Sequence, residues 1–275
     1  MGDFEIGSVY LVSEIAMPKI TPQNKSVLDL EGLHLYHAGW SNCSMRVRMT
    51  LEEKGLTWTS HHLDTRNGEH ITPEYFGINP NGLVPTLVDD GDVWIESSDI
   101  IRYLDESYQE PRLAPCDDAG LEKLSEWMSL ASTIHVTAVK TYIYSSRPEN
   151  KRRKTAAELE KYRNLQTNKE LLAFHTRSSS DIGFTDKDRR NARQLLHDAF
   201  SRLDICLGEH RWLAGNDYSL ADITWVPLHF TLERAGFSFD AYENVMTWAL
   251  SIAARPSFKH AVVKWFDGPP KSGAH

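Results

Sequence analysis

Between Leu33 and Tyr108 the apolar pattern changes period several times, and the order of those changes restricts the fold more than any other feature of the chain. Leu33–His37 alternates as a strand does, the stretch from about 44 to 55 repeats as an amphipathic helix, and 57–63 returns to strand. A short irregular helix near 72–78 follows, then strand runs at 85–89 and 92–95 and a helix over 97–108. Asp90-Gly91 divides the apolar runs TLV and VWI, and such a dipeptide supplies the positive backbone angles of a tight hairpin, so those two strands are expected side by side and antiparallel. The pattern predicts a compact α/β unit over 33–108.

After a linker at 109–117 marked by Pro111 and Pro115, the pattern over 118–275 is helical. Leu121, Leu124, Met128, Ala131, His135, Ala138 and Tyr142 recur at three- and four-residue spacing, the stripe of a long buried helix. A second helix is expected over 186–208, with Thr185 and Asp188 as a capping box and Ala192, Leu195, Leu196, Ala199 and Leu203 facing inward. Ser219 and Asp222 form another capping box, flanked by Tyr218 and Ile223 at staple positions, which assigns Asp222 to folding and not to chemistry. Residues 146–184 are polar, and longer than a helix–helix connection requires, as substrate-shaping insertions are. Residues 1–32, with Pro18 and Pro22, read as an extension packed on or tethered to the first domain.

Composition removes several function classes. A formal net charge of −8 opposes nucleic-acid binding, and the basic run Lys151–Lys154, followed by Glu158 and Glu160, reads as a solvated helix start. Cys43, Cys116 and Cys206 are too few and too scattered for a disulfide framework or a zinc site, and the 12 histidines show no metal-ligand spacing. His61-His62 falls in a strand, where the two must point to opposite faces. With no signal-peptide pattern, no myristoylation motif and no run of about 18 apolar residues, the expectation is a cytoplasmic protein without a membrane partner.

The chemistry concentrates where the first strand runs through Gly39-Trp40 into Ser41, Asn42, Cys43 and Ser44 and then directly into a helix. Free amides at a helix start favour a nearby anion, and a thiolate is such an anion. Downstream come a Val84-Pro85 step and Glu96-Ser97 at the start of another helix. In this order the pieces resemble the cytosolic glutathione transferases: LHLYH their first strand, SNCSMRVRMTLEEKGL their first helix, NPNGLVPTLVDDG their cis-proline turn, and ESSDIIRYLDESY their Glu/Gln-Ser motif and third helix. LAGNDYSLADITW and ARPSFK resemble the signature and ending of the family's helical domain. The resemblance implies a thioredoxin-like α/β N-terminal domain, an all-α helical-bundle C-terminal domain, glutathione as co-substrate, a small-molecule electrophile and a homodimer.

Carried onto this chain, the resemblance gives roles to particular residues. Ser97, with the amides of its helix, would hold the γ-glutamyl carboxylate of glutathione, and Glu96 or a neighbouring acid would pair with its ammonium. A plain N-cap at Ser97 or Ser98 uses the same groups. A cis bond at Pro85 would present the Val84 backbone to the cysteinyl part of the tripeptide; the residue before Val84, often Gln or Lys in relatives, is Leu83 here. Ser41 would donate to the glutathione thiolate, with Ser44 beside it, as in zeta-like members. Ser-x-Cys-Ser followed by Met and a basic residue resembles hydroquinone reductive dehalogenases, whose cysteine resolves a glutathionyl conjugate; zeta-like isomerases carry a similar pattern, and a buried structural cysteine is the plain reading. Arg46 and Arg48 read either as an anion contact or as surface ion pairs. Trp40 at the mouth and His135, Tyr142, Tyr144 or Trp225 as walls would shape the electrophile pocket. Three functions follow: transfer to an aromatic electrophile, with reductive dehalogenation or ether cleavage through Cys43; cis-trans isomerisation of the maleylacetoacetate type; or a non-catalytic glutathione-binding regulatory module.

Overall fold

The computed structural model describes residues 19–146, 154–266 and 268. Five strands form one mixed sheet: β1 (Lys19–Ile20), β2 (Leu33–His37), β3 (Thr59–His62), β4 (Thr86–Asp89) and β5 (Asp92–Trp94), in the spatial order β1-β5-β4-β2-β3. Only β2 and β3 run parallel, joined by the crossover helix α1 (Asn42–Glu53); α2 (Pro73–Ile78) and α3 (Ser97–Ser107) complete the unit.

The register accounts for two separate apolar faces. Leu35 pairs with Leu87 and Leu87 with Trp94, so these three share one face and join Met45, Met49, Ile100, Ile101 and Leu104 in the main core. Val88 and Val93 point the other way, into a smaller core with Val27, Tyr75 and Ile78. Val27 and β1 lie within the stretch read from sequence as an extension; β1 adds an antiparallel edge strand, and two residues of strand are too short to register as a period.

The helical part comprises α4 (Asp118–Ile134), a π-helical stretch at His135–Lys140, α5 (Thr141–Ser145), α6 (Ala156–Leu165), α7 (Lys169–Ser179), α8 (Asp186–Glu209), α9 (Leu220–Arg234), α10 (Glu243–Ala253) and α11 (Pro256–Ala261). Three residues of the expected stripes lie outside the core, His135 among them. Leu121 is 37% exposed because Gly120, against Pro115, takes the inward place in that turn; Leu195 is 42% exposed because Leu196 takes it in α8. The basic run Lys151–Lys154 lies outside the described residues except for Lys154, and the polar insertion that contains it folds into α6 and α7. Tyr162 of α6 packs on Ile71 and Phe76, and Gln166 Nε2 donates to the Asn81 carbonyl at 2.8 Å, so the insertion rests on the α/β unit.

One buried polar cluster pins the linker to the α/β unit, and a second fixes α9 within the helical part. Lys54 Nζ donates to Asp105 at 2.8 Å and to the Pro111 carbonyl at 2.7 Å, while Asp105 accepts the Leu113 and Ala114 amides, pinning the linker under α1 and α3. Asp222 closes the capping box at the start of α9 and accepts from the Leu213 amide and Trp248 Nε1. α9 is thereby anchored beneath α1, where the candidate site lies.

Candidate functional site

α1 begins two residues earlier than its apolar repeat suggests, because Ser41 is its N-cap: Ser41 Oγ accepts the Ser44 amide at 3.3 Å. Cys43 therefore sits inside the first turn, partly exposed, with its Sγ 3.9 Å from His135 Nδ1. Ser44 does not face the site. It is fully buried and its Oγ accepts the Ala38 amide at 3.3 Å, so the expected catalytic part for Ser44 gives way to fixing the bend between β2 and α1.

Neither arginine of α1 is a surface ion pair. Arg48 is fully buried and donates to the carbonyls of Ala38, Gly39 and Ala261 and to His37 Nδ1, tying α11 to the bend. Arg46 is 2% exposed; its Nε donates to the Thr224 carbonyl of α9 at 3.0 Å and its Nη1 to Ser97 Oγ at 3.4 Å, while Nη2 is buried without a hydrogen-bond partner. Burial lowers the Arg46 pKa and the nearby Cys43 opposes that shift. A buried cation with an open donor under Ser97 is suited to an anion.

Glu96 precedes α3 with φ +64° and ψ 112°, and its side chain makes no capping bond. The start of α3 is thus left without a side-chain cap, and Ser97 is its first residue, not the N-cap. Asn81 Nδ2 donates to Glu96 Oε1 at 3.4 Å. Desolvation, then the nearby Cys43 and Asp99, raise the Glu96 pKa, and the Asn81 hydrogen bond and Lys140 counteract them. The Val84-Pro85 bond is cis, with Val84 partly exposed and Pro85 buried. Cys43, Arg46, Glu96, Ser97 and His135 are linked by these contacts and charges into one cluster, and Ser41 precedes it at the start of α1.

The expected pocket walls divide. His135 lies at the cluster, and burial, Lys140 and Arg46 hold its imidazole well below the ordinary histidine range, so it is neutral. Tyr142 is 4% exposed, packs on Phe237, donates to the Gly236 carbonyl and lines a cavity with Asp186, Arg189, Arg190 and Arg193, none of which belongs to the cluster; Trp225 is fully buried against Trp127 and is core, corrected from a pocket wall because neighbouring elements cover its helical face. Tyr144 sits edge-on to Phe174 of α7 and to Phe184. Trp40 is partly exposed in the bend, with the Arg66 guanidinium over its ring at 5.1 Å. Sequence reasoning missed Asn81 and Lys140: Asn81 was hidden in a turn signal, and Lys140 looks like any exposed helical lysine. Among the described residues no cluster has the make-up of a metal site, and no helix is long and apolar enough to cross a membrane.

Comparison with known proteins decides the family. The family model described as "Glutathione S-transferase, N-terminal domain" matches residues 40–107, and "Glutathione S-transferase, C-terminal domain" matches 127–256. The chain belongs to the glutathione S-transferase family. It is an enzyme family whose co-substrate is glutathione. Glutathione S-transferase TCHQD of Arabidopsis thaliana is 26% identical over 247 residues, covering 86% of this chain and 91% of that one. Maleylacetoacetate isomerase of Pseudomonas aeruginosa is 27% identical over 237 residues, covering 83% and 95%. The β-etherase LigF of Sphingobium sp. strain SYK-6 superposes with a TM-score of 0.69 at 26% identity, over 83% of this transferase and 98% of that chain. The cluster of this transferase fits an anionic thiol tripeptide on its own chemistry, with an uncapped helix start at Ser97 and an unpartnered guanidinium nitrogen for anions, and the Glu96 carboxylate for an ammonium.

Proposed function

We propose that this transferase joins the glutathione thiol to a hydrophobic, aromatic electrophile and that Cys43 then resolves the conjugate, so that the net reaction is reductive cleavage of a carbon–halogen or aryl ether bond. The observation that carries this reading is the position of Cys43: partly exposed, in the first turn of α1, with His135 3.9 Å from its sulfur. A cysteine retained only for packing is buried among apolar side chains. Ser41 keeps its hydroxyl at the helix start and donates to the glutathione thiolate, while Ser97 and the Val84 backbone hold the tripeptide. The aromatic group Tyr144, Phe174 and Phe184 supports a planar substrate on the helical side, with Trp40 at the opening. Similarity to proteins named for β-etherase activity and as TCHQD transferase favours the same chemistry.

The test is product analysis with glutathione and a panel of halogenated hydroquinones, β-aryl ethers and maleyl compounds. The wild type is expected to release the reduced arene or phenol together with glutathione disulfide, and Cys43→Ser to accumulate the glutathionyl conjugate. Identical products and rates in the two proteins would remove Cys43 from the mechanism. Similarity to maleylacetoacetate isomerases supports a second reading, which predicts isomerised maleyl compounds with glutathione unconsumed. Binding without any product would mark a regulatory module. The family expectation of a homodimer in the cytoplasm is checked by sedimentation and cell fractionation.

A further inference from the structure

The geometry points to His135 as the proton-shuttling partner of Cys43: it takes the thiol proton as the cysteine sulfur attacks and delivers it to the group that departs. This inference rests on the proposed thiol exchange at Cys43 and adds the residue that manages its proton.

The helix that carries His135 departs from α geometry where it passes Cys43. α4 ends at Ile134 and His135–Lys140 is π-helical before α5 resumes, with Thr141 Oγ1 donating five residues back to the Val136 carbonyl at 2.9 Å. Such wide turns shift the phase of a helix and are frequent at functional sites. Inward positions are taken by Ala131, Ile134 and Ala138, so His135 stands beside the core line and reaches across to α1. Its Nδ1 lies 3.9 Å from Cys43 Sγ, within reach of a sulfur hydrogen bond.

The surroundings fit a shuttle better than a resting ion pair. From α1, Arg46 acts on both Cys43 and His135; from the histidine's own stretch, Lys140 acts on His135; from α3, Glu96 faces Cys43. Burial and the two cations keep the imidazole neutral, so a ring nitrogen is free to accept. Arg46, with Nη2 buried and unpartnered, offsets the negative charge that develops on sulfur.

The step balances. In Cys43–SH + GS–Ar, the S–H and S–C bonds break and an S–S bond forms. The S–C electron pair leaves with the aryl carbon, which receives the proton by way of His135, giving Cys43–S–SG and Ar–H. A second glutathione then releases the disulfide GSSG and restores Cys43–SH.

The step can be isolated from the aromatic substrate by single-turnover transfer from glutathionyl 2-pyridyl disulfide, in which pyridine-2-thiol replaces Ar–H as the departing group. Peptide mass mapping follows the glutathionyl group on Cys43 separately from Cys116 and Cys206. At pH 6.5 His135→Leu is expected to slow labelling of Cys43 at least about tenfold and to recover about tenfold per pH unit as hydroxide replaces the lost base, while the wild type changes far less. His135→Gln, which keeps a polar side chain of similar size, is expected to behave as His135→Leu does. Wild-type rate and pH profile in either folded variant would overturn the shuttle alone. No label on Cys43 in the wild type would overturn the exchange reaction and the shuttle with it.

Discussion

Replacing Arg46 by Met is expected to separate stability from glutathione binding. In the free protein the guanidinium is 2% exposed, with a 3.0 Å bond to the Thr224 carbonyl, a 3.4 Å contact to Ser97 Oγ and Nη2 unpartnered. The first bond is worth about 1.5–3 kcal/mol as a bond from a charged donor, and the second contributes little at its length. Against them stands the desolvation of a buried cation, on the order of several kcal/mol. Methionine fills much of the same volume without a charge to desolvate, so the gain and loss nearly cancel and the unfolding free energy in urea should move by less than about 2 kcal/mol. Binding has no such compensation. Loss of one charge-assisted contact to the anionic tripeptide costs about 1.5–3 kcal/mol, roughly 10- to 150-fold in Kd by isothermal titration. Unchanged affinity together with a loss of more than about 4 kcal/mol in stability would refute the reasoning and make Arg46 a strut between the two halves.

Ser41→Ala should leave glutathione affinity nearly intact but raise the pKa of the bound thiol by about one to two units, the equivalent of one charge-assisted hydrogen bond; turnover falls near neutral pH and returns in alkaline buffer, and a parallel profile would argue against the serine. Ser97→Ala should weaken binding by roughly 1–2 kcal/mol, read by titration with free glutathione, because the α3 amides remain in place. Lys54→Met strands the Asp105 carboxylate, 3% exposed, and should cost about 3–5 kcal/mol in urea unfolding with little effect on chemistry; a change below about 1 kcal/mol would mean that water already reaches the pair.

The apolar period and the turn chemistry of this chain were enough to specify the α/β unit from Leu33 onward. Leu35, Leu87 and the Asp90-Gly91 hairpin act through neighbours close in sequence or through a strict two-residue alternation, and such signals survive in a linear string. Ser41, Cys43, the Val84-Pro85 step and Glu96-Ser97 were legible for the same reason, since each sits at an element boundary that local residues define. The edge strand β1 was not, because two residues carry no period and pairing with β5 joins positions more than 70 apart.

What the sequence could not decide is which polar side chains meet once the helical part folds against the sheet. Arg46 and Arg48 have the same composition and nearly the same address, yet the first lies under Ser97 with a free donor and the second is spent on three carbonyls and His37. The difference comes from where α9 and α11 press on α1, a matter of packing between segments far apart in the chain. The same reason separates His135 from Tyr142, which share one helical stripe in the sequence. His135, where the π-helical stretch begins, lies 3.9 Å from the Cys43 sulfur, whereas the Tyr142 ring is packed against Phe237, so only the tertiary structure determines that the histidine meets the cysteine and the tyrosine does not.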